Sequence, residues 1–479
     1  SGMSTSSVRS AMSLFGGFFA LAIAWMTVLP LFAGPDEPAN FIKSAAVVRG
    51  RFVGEPIPAS VTTSFWSTYV DIDPQFGTAQ LVPWCFVGQP QAPACSAPLQ
   101  SLAPVEPART DMGRYPPLGF VPAGIGTLVG PSDTGARAAR ITAAVVCCAM
   151  LTVAAQLLRR RRRSLVPLLV AATPGVVFLS SVSSPSGVEI VSAIAAWTAL
   201  WIGIHERWSL PSTIAVFVGA SALLIVARPA GIVAVIVMVA CAAIADHDAL
   251  RRAALRHPRA LGVMAAAVTA SIAWYVTTYD HNFGVRLDVE RRVTSLTTIA
   301  SRSLIDLPRL VAESVGNFGW LDTPSPTFAV WIIVGLTATL AIRAAQRVSV
   351  RQRLALGALA LCVPVWHIAL NANYQDLLGS YGSQGRHLTP LIVGLPLAAV
   401  MRRAHHPSDS SVAGLVLCVH AWCVLVALRR YSSGAGGDDL LGFVTSPAWT
   451  PPLGMATTLL IVALAHIAAW WALRGPRRS

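Results

Sequence analysis

The chain has 479 residues, 54% of them hydrophobic and only 12% charged, with a mean hydropathy of +0.60 and a formal net charge of +14. A soluble domain carries about 25% charged residues, so an ordinary soluble fold is excluded. Repeated apolar runs of 17 or more residues, against roughly 20 needed to span the hydrocarbon, make this an all-α, polytopic helical membrane protein.

Twelve spans are expected, over 11–33, 136–158, 165–183, 188–204, 211–227, 230–245, 260–279, 327–345, 354–370, 388–400, 411–428 and 453–473. Ser1-Gly2 ahead of Met3 reads as a cloning scar. With the N-terminus inside, the inner segments hold Arg9, Arg159 to Arg163, Arg207, Arg251, Arg252, Arg256, Arg259, Arg343, Arg347, Arg351, Arg353, Arg402, Arg403, Arg474, Arg477 and Arg478. Only Glu206, Asp246, Asp248 and Asp409 oppose them, so the positive charge follows the rule that sets orientation and needs no nucleic acid. Both termini are then cytoplasmic in a bacterial plasma membrane. Lys43 is the only lysine beside 35 arginines, a bias that points to a high-GC genome.

Three outer segments exceed simple turns: 34–135, 280–326 and 371–387. The first opens with GPDEPAN, and Asp36 or Glu37 is expected to cap a helix with Pro38 at its first position and Gly50 at its stop. Phe41, Ile42, Ala45 and Val48 share one face of it, with Lys43 and Arg49 elsewhere, which predicts an interfacial helix with its apolar side toward lipid. One carboxylate suffices for capping; a second adds repulsion. The pair is therefore a candidate for chemistry, and a carboxylate there can deprotonate a sugar hydroxyl. Cys85 and Cys95 share this oxidising loop and are expected to pair. No His or second Cys pair stands near them, so a metal site has little support.

RYPP, 114–117, closes the loop, with Arg114 and Tyr115 either lining a polar pocket or forming a stiff interfacial turn. The apolar stretch 117–130 is short and rich in Gly and Pro, and counting it as a span would put Arg159 to Arg163 outside. It is expected to be re-entrant or interfacial. SSPSGVE, 183–189, reads as a cap on the next span, and Arg228 ends another span where it can snorkel or meet a lipid phosphate. In SVGNFGWLD, 314–322, Trp320 can stack on a sugar and Asp322 is a further candidate acid. In YGSQGRH, 381–387, Arg386 between Gly385 and His387 suits a phosphate, because a planar guanidinium forms paired hydrogen bonds. His367, His420 and His466 lie within spans and read as packing residues. No nucleotide-binding loop or HExxH is present.

GPDEPAN, RYPPLGF, SSPSGVE, NFGWLD and QGRHLTPL, in this order over roughly 12–400, resemble the PDEPAH-motif domain-of-unknown-function family of polytopic membrane proteins, related to the GT-C glycosyltransferases. Three positions depart from the family pattern: Asn40 stands where His is usual, Ser186 where Asp is common, and His387 where an aromatic Tyr is found. The resemblance implies a single GT-C-like transmembrane domain over 1–479, with its active site extracytoplasmic. It implies an inverting enzyme that moves a sugar, such as the pentofuranose arabinose, from a polyprenyl-phosphate donor to a cell-envelope glycan, lipid or protein.

Carried over residue by residue, Asp36 is the catalytic base, with Glu37 assisting it. Arg386, Arg228 and Arg114 are the phosphate-binding candidates. Asn40, Lys43, Tyr115, Trp320, Asp322, Gln384 and His387 are the substrate-binding candidates. The paired acids leave room for a divalent cation (Mg, Mn or Ca) that nothing fixes. Two rivals remain: a lipid-linked-sugar flippase or transporter, which predicts charged residues within the spans, and a non-catalytic envelope-assembly protein. The expected spans are almost free of charge, which favours the enzyme.

Overall fold

The computed structural model describes residues 5–57, 67–95, 97–279, 294–401, 408–436 and 441–474. Residues 280–293 of the second outer segment, Arg402, Arg403, Arg477 and Arg478 lie outside the described residues. Helix α1 (Thr5–Val28) ends before the loop 29–36, and α2 (Glu37–Val48) follows. A three-stranded antiparallel sheet then forms from β1 (Glu55–Pro56), β2 (Thr68–Tyr69) and β3 (Arg109–Thr110), with short 3-10 turns between them. Next come α3 (Val121–Thr127), α4 (Asp133–Arg159), α5 (Val166–Ala171), α6 (Pro174–Ser180) and α7 (Pro185–His205). They are followed by α8 (Pro211–Ala227), α9 (Gly231–Arg256), α10 (Pro258–Tyr279) and α11 (Leu296–Val315). A two-residue hairpin of β4 (Asn317–Phe318) and β5 (Thr323–Pro324) leads to α12 (Thr327–Ala345) and α13 (Val350–Leu378). Last are α14 (Gly385–Ile392), α15 (Gly394–Leu397), α16 (Asp409–Ser433), α17 (Gly442–Thr445) and α18 (Met455–Leu473).

Among the described residues, nine helices are long and apolar enough to cross a membrane: α1, α4, α7, α9, α10, α12, α13, α16 and α18. The protein is thus a multi-pass helical membrane protein. α8 and the stretch 385–401 are apolar but shorter. Helix α7 is apolar all round, and every residue from Pro185 to Ile204 is buried, so it forms the centre of the bundle.

Three expected spans differ from a continuous helix. The span over 165–183 breaks between α5 and α6, where Pro174 removes a donor and Ala172 turns to ψ 63°. Nε2 of His420 donates to the freed carbonyl of Ala172 at 2.9 Å, while Thr173 caps α6 and donates to Ser314 O at 2.9 Å. The span over 388–400 breaks into α14, α15 and a 3-10 turn around Pro390, Gly394 and Pro396. Trp197 and Trp201 of α7 donate their indole N–H groups to Pro390 O and Gly394 O, each at 2.9 Å. Buried backbone needs such partners where no water reaches it. The span over 230–245 instead continues to Arg256, kinked at Asp246, whose carboxylate accepts from Ala249 N at 2.9 Å and caps the second part.

Most of 371–387 is helix, because α13 runs to Leu378 and leaves 379–384 as the loop. The inner arginine run is partly structural: Arg161 and Arg163 both pair with Glu206, at 3.1 and 3.0 Å. Residues 117–130 form a 3-10 turn and the seven-residue α3, too short to span and packed against α2 and α4. The disulfide between Cys85 and Cys95 is formed as expected.

Candidate active site

Helix α2 is buried within the protein, not laid on lipid. Phe41, Ile42 and Ala45 are fully buried in a second apolar cluster, with Phe41 between Phe32 and Phe76 at ring-centroid distances of 5.4 and 5.5 Å. The interfacial reading failed because the loop after α2 folds back over its apolar face. A helix so enclosed has a fixed N-terminus, and the two acids diverge there.

Glu37 is 1% exposed and faces inward. Its carboxylate forms a two-point pair with Arg140 of α4: Oε1 to Nε at 2.7 Å and Oε2 to Nη2 at 2.8 Å. It also accepts from Gly34 N at 2.9 Å and Ser183 N at 3.1 Å. Arg140 further donates to the carbonyls of Leu29 and Pro30. Every lone pair of Glu37 is directed at structure, so its expected catalytic assistance is replaced by an anchoring role.

Asp36 turns the other way. It adopts a left-handed conformation (φ 56°, ψ 16°) that non-glycine residues seldom hold. As N-cap it makes no capping bond, and its Oδ2 instead accepts from Arg386 Nη2 at 2.6 Å. Its side chain is 37% exposed, that of Arg386 10%. The expected meeting of the first-loop acid with Arg386 across 350 residues is present in the structure. Arg386 is carried on the first turn of α14, whose Gly385 N donates to Glu313 at 2.8 Å.

Beneath this contact lies a cavity of about 20 Å³, room for one water, lined by Pro35, Glu313, Asn317, Arg386 and Thr389 among others. Arg386 Nε and Asn317 Oδ1 are buried without a protein partner. Ser314 and Thr389 also line an apolar cavity of about 360 Å³ between α5, α11, α12, α13, α14 and α15. The small cavity at Arg386 therefore shares wall residues with a space suited to a hydrocarbon chain.

The second arginine, Arg228, donates to Ser186 Oγ at 2.5 Å, pairs with Glu189 at 3.4 Å and lies over the Tyr115 ring at 5.6 Å. His387 accepts from Gln384 N through Nδ1 at 3.3 Å and stacks on Tyr374 with centroids 6.2 Å apart. Both His387 and Tyr374 lie within electrostatic reach of Arg228 and Arg386. Asn40, one turn past Asp36, is 2% exposed, and its Oδ1 is buried without a protein partner.

Other candidates stand apart from the cleft contacts. Asp322 pairs with Arg430 at 2.8 Å, and the same guanidinium gathers the carbonyls of Phe86, Gln89 and Ala92 in the disulfide loop. Trp320 donates to Phe32 O at 2.9 Å and braces the Asp36 loop. Arg114 is buried with its carbonyl held by Trp274, and burial lowers its pKa. Lys43 is 0% exposed and donates to the carbonyls of Phe52 and Gly113, between the Phe120 and Trp274 rings. Burial pulls its pKa down to about 7.

A divalent cation at the paired acids has no shared ligand position, because the two carboxylates point to different arginines. Among the described residues no group of three His, Cys, Asp or Glu converges as a ligand set. Two charged residues of the network gave little sign in the sequence: Arg140 stands outside every motif, and Glu189 only ends the SSPSGVE cap. Both sit inside apolar helices, and an ionised group there is itself a signal that a partner is waiting. They also correct the expectation of nearly charge-free spans.

Glu37→Gln or Arg140→Met strands the other member of a buried pair and is expected to destabilise the protein by about 3–5 kcal/mol. The double variant should lose less than the sum, and thermal unfolding of the detergent-solubilised protein reads both. For Lys43 the folded pKa lies below the unfolded one, so the unfolded chain binds more protons between about pH 7 and 10.5. Unfolding temperature should therefore rise from pH 7 to 9 in the wild type, and this component should vanish in Lys43→Met.

Among curated proteins no sequence matches this chain. Among solved structures it is similar to the crystal structure of ArnT from Cupriavidus metallidurans in the apo state, at 15% identity and TM-score 0.46, over 95% of this chain and 75% of that one. Residues 18–395 match the family described as "Predicted membrane protein (DUF2142)", and the chain belongs to that family.

Proposed function

We propose that this membrane protein is an inverting glycosyltransferase that moves a sugar from a polyprenyl-phosphate donor to an acceptor hydroxyl at the outer membrane surface. One observation carries the reading: Asp36, its side chain 37% exposed, touches Arg386 at 2.6 Å, and Arg386 lines a small cavity that shares Ser314 and Thr389 with an apolar cavity of about 360 Å³. That volume lies within the range of ligand pockets, about 300–1,000 Å³. A phosphate at Arg386 with its prenyl chain in the apolar space satisfies both environments.

Asp36 cannot act as a base while Arg386 holds it. The donor phosphate takes its place on the guanidinium, by charge-assisted hydrogen bonds of the same kind, and frees the carboxylate. Asp36 then accepts the proton of the acceptor hydroxyl, the hydroxyl oxygen attacks the anomeric carbon, and the bond from that carbon to the phosphate oxygen breaks. A single displacement inverts the anomeric centre. The phosphate leaves with one more negative charge than it brought, and Arg386 and Arg228 stabilise that charge. Energy comes from the phosphodiester, so no nucleotide is required. The acceptor is a glycan, glycolipid or glycoprotein of the envelope, and arabinose remains the preferred sugar of this proposal. Tyr115, under Arg228, and His387, next to Arg386 in sequence, are the sugar-contacting residues it favours.

Asp36→Asn is expected to abolish transfer, by a factor of about 10² or more, while the unfolding temperature stays near that of the wild type. Arg386→Lys keeps the charge but loses the paired geometry, and transfer should fall at least tenfold. The check is release of prenyl phosphate by purified protein given a panel of polyprenyl-phosphate sugars. Full turnover by Asp36→Asn would remove the base from this mechanism.

A further inference from the structure

Glu189 takes no part in the transfer step above, yet capping does not explain it. Ser184 already caps α7, accepting from Ser186 N at 3.3 Å, and Glu189 stands more than a turn further in. It is 2% exposed in an otherwise apolar helix, where a carboxylate is destabilising unless paired. Its Oε2 lies 3.4 Å from Arg228 Nη1, the nitrogen that also donates to Ser186 Oγ. Ser186 and Glu189 are three residues apart and share a helix face.

Arg228 itself leaves α8 in an extended conformation (φ −153°, ψ 157°), so no helical backbone sets its direction. Glu189, Ser186 and Tyr115 do so instead. The approach of these three segments depends on Gly119, where a Cβ would lie 2.6 Å from Ala227 O and 3.2 Å from Pro185 Cβ. Glu189 is also within electrostatic reach of Arg386. Its charge therefore acts on both cations, on Arg228 by direct contact and on Arg386 at longer range.

We propose that Glu189 is a positioning residue: it aims Arg228 into the cleft beside Arg386, and the paired guanidiniums form a seat selective for a prenyl phosphate monoester. The inference rests on the transfer reading and deepens it. A donor phosphodiester carries one negative charge and the leaving monoester two, so a second guanidinium matters most as that charge develops. Asp36 and Glu189 then divide the work. The exposed carboxylate yields its arginine to phosphate; the buried one keeps its own in place.

The test titrates the purified full chain in detergent with a short-chain prenyl monophosphate and, separately, with the corresponding prenyl alcohol. Wild type should bind the monophosphate tighter than the alcohol. Glu189→Gln and Arg228→Gln should each weaken monophosphate binding roughly tenfold and leave alcohol binding unchanged. The double variant should be no weaker than Arg228→Gln alone, since both changes act through one guanidinium. Should Glu189→Gln fail to fold, Glu189→Asp carries the same comparison with a smaller loss.

Losses that multiply in the double variant, or variants at Glu189 that bind as the wild type does, overturn the role of Glu189 and leave the transfer reading standing. A wild type that binds the monophosphate no better than the alcohol overturns the transfer reading and this inference with it.

Discussion

The buried pair between Glu37 and Arg140 is the constraint on which the site depends. It joins the first residue of α2 to the long helix α4, and through Ser183 N and the carbonyls of Leu29 and Pro30 it fixes the loop between α1 and α2. Such a pair is weak evidence for stability, because desolvation of both charges offsets much of their attraction. Its effect is geometric. Two parallel hydrogen bonds from a planar guanidinium tolerate little rotation of the carboxylate, so the residue before Glu37 has little freedom. Trp320 on Phe32 O and Tyr431 on Ala33 O, at 2.9 and 3.4 Å, brace the same loop from another side.

Asp36 shows what that rigidity is used for. Its left-handed backbone is a strained state for an aspartate, and the side chain forgoes the capping bond that would favour α2 by roughly 1 kcal/mol. Both penalties are tolerated because the neighbouring anchor holds the backbone. The partner side is built with similar rigidity. Arg386 sits on a helix that ends at Ile392, just past Pro390, and the indole groups of Trp197 and Trp201 hold the carbonyls of Pro390 and Gly394. The central helix α7 thereby carries Ser186 and Glu189 at one end and fixes the support of Arg386 along its length.

Much of this was legible in the sequence because it depends on hydropathy. Each of the twelve apolar segments is wholly or largely helical in the structure, and the expected disulfide and the meeting of Asp36 with Arg386 are present. What failed depends on packing between distant segments. The apolar face of α2 has the same pattern whether lipid or Phe76 covers it, so periodicity alone could not separate an interfacial helix from a buried one. The breaks near Pro174 and Pro390 were marked by proline, but the partners that make them tolerable, His420 and the two tryptophans, come from other helices. Glu37 looked like the twin of Asp36 because adjacency in sequence says nothing about direction. A left-handed residue between a loop and a helix sends neighbouring side chains apart.

The two carboxylates of the PDEP motif therefore differ in environment more than in chemistry. Glu37 meets a two-point partner in a dry site at 1% exposure, where an incoming anion finds neither room nor an unmet donor. Asp36 meets one nitrogen of an arginine whose Nε is buried and unmatched, beside a cavity of one water and at 37% exposure. Exchange of one anion for another is easiest where the outgoing carboxylate can be solvated and the arginine still has a donor to offer. That asymmetry assigns anchoring to the first pair and exchange to the second, and it places the strained residue at the contact that must open.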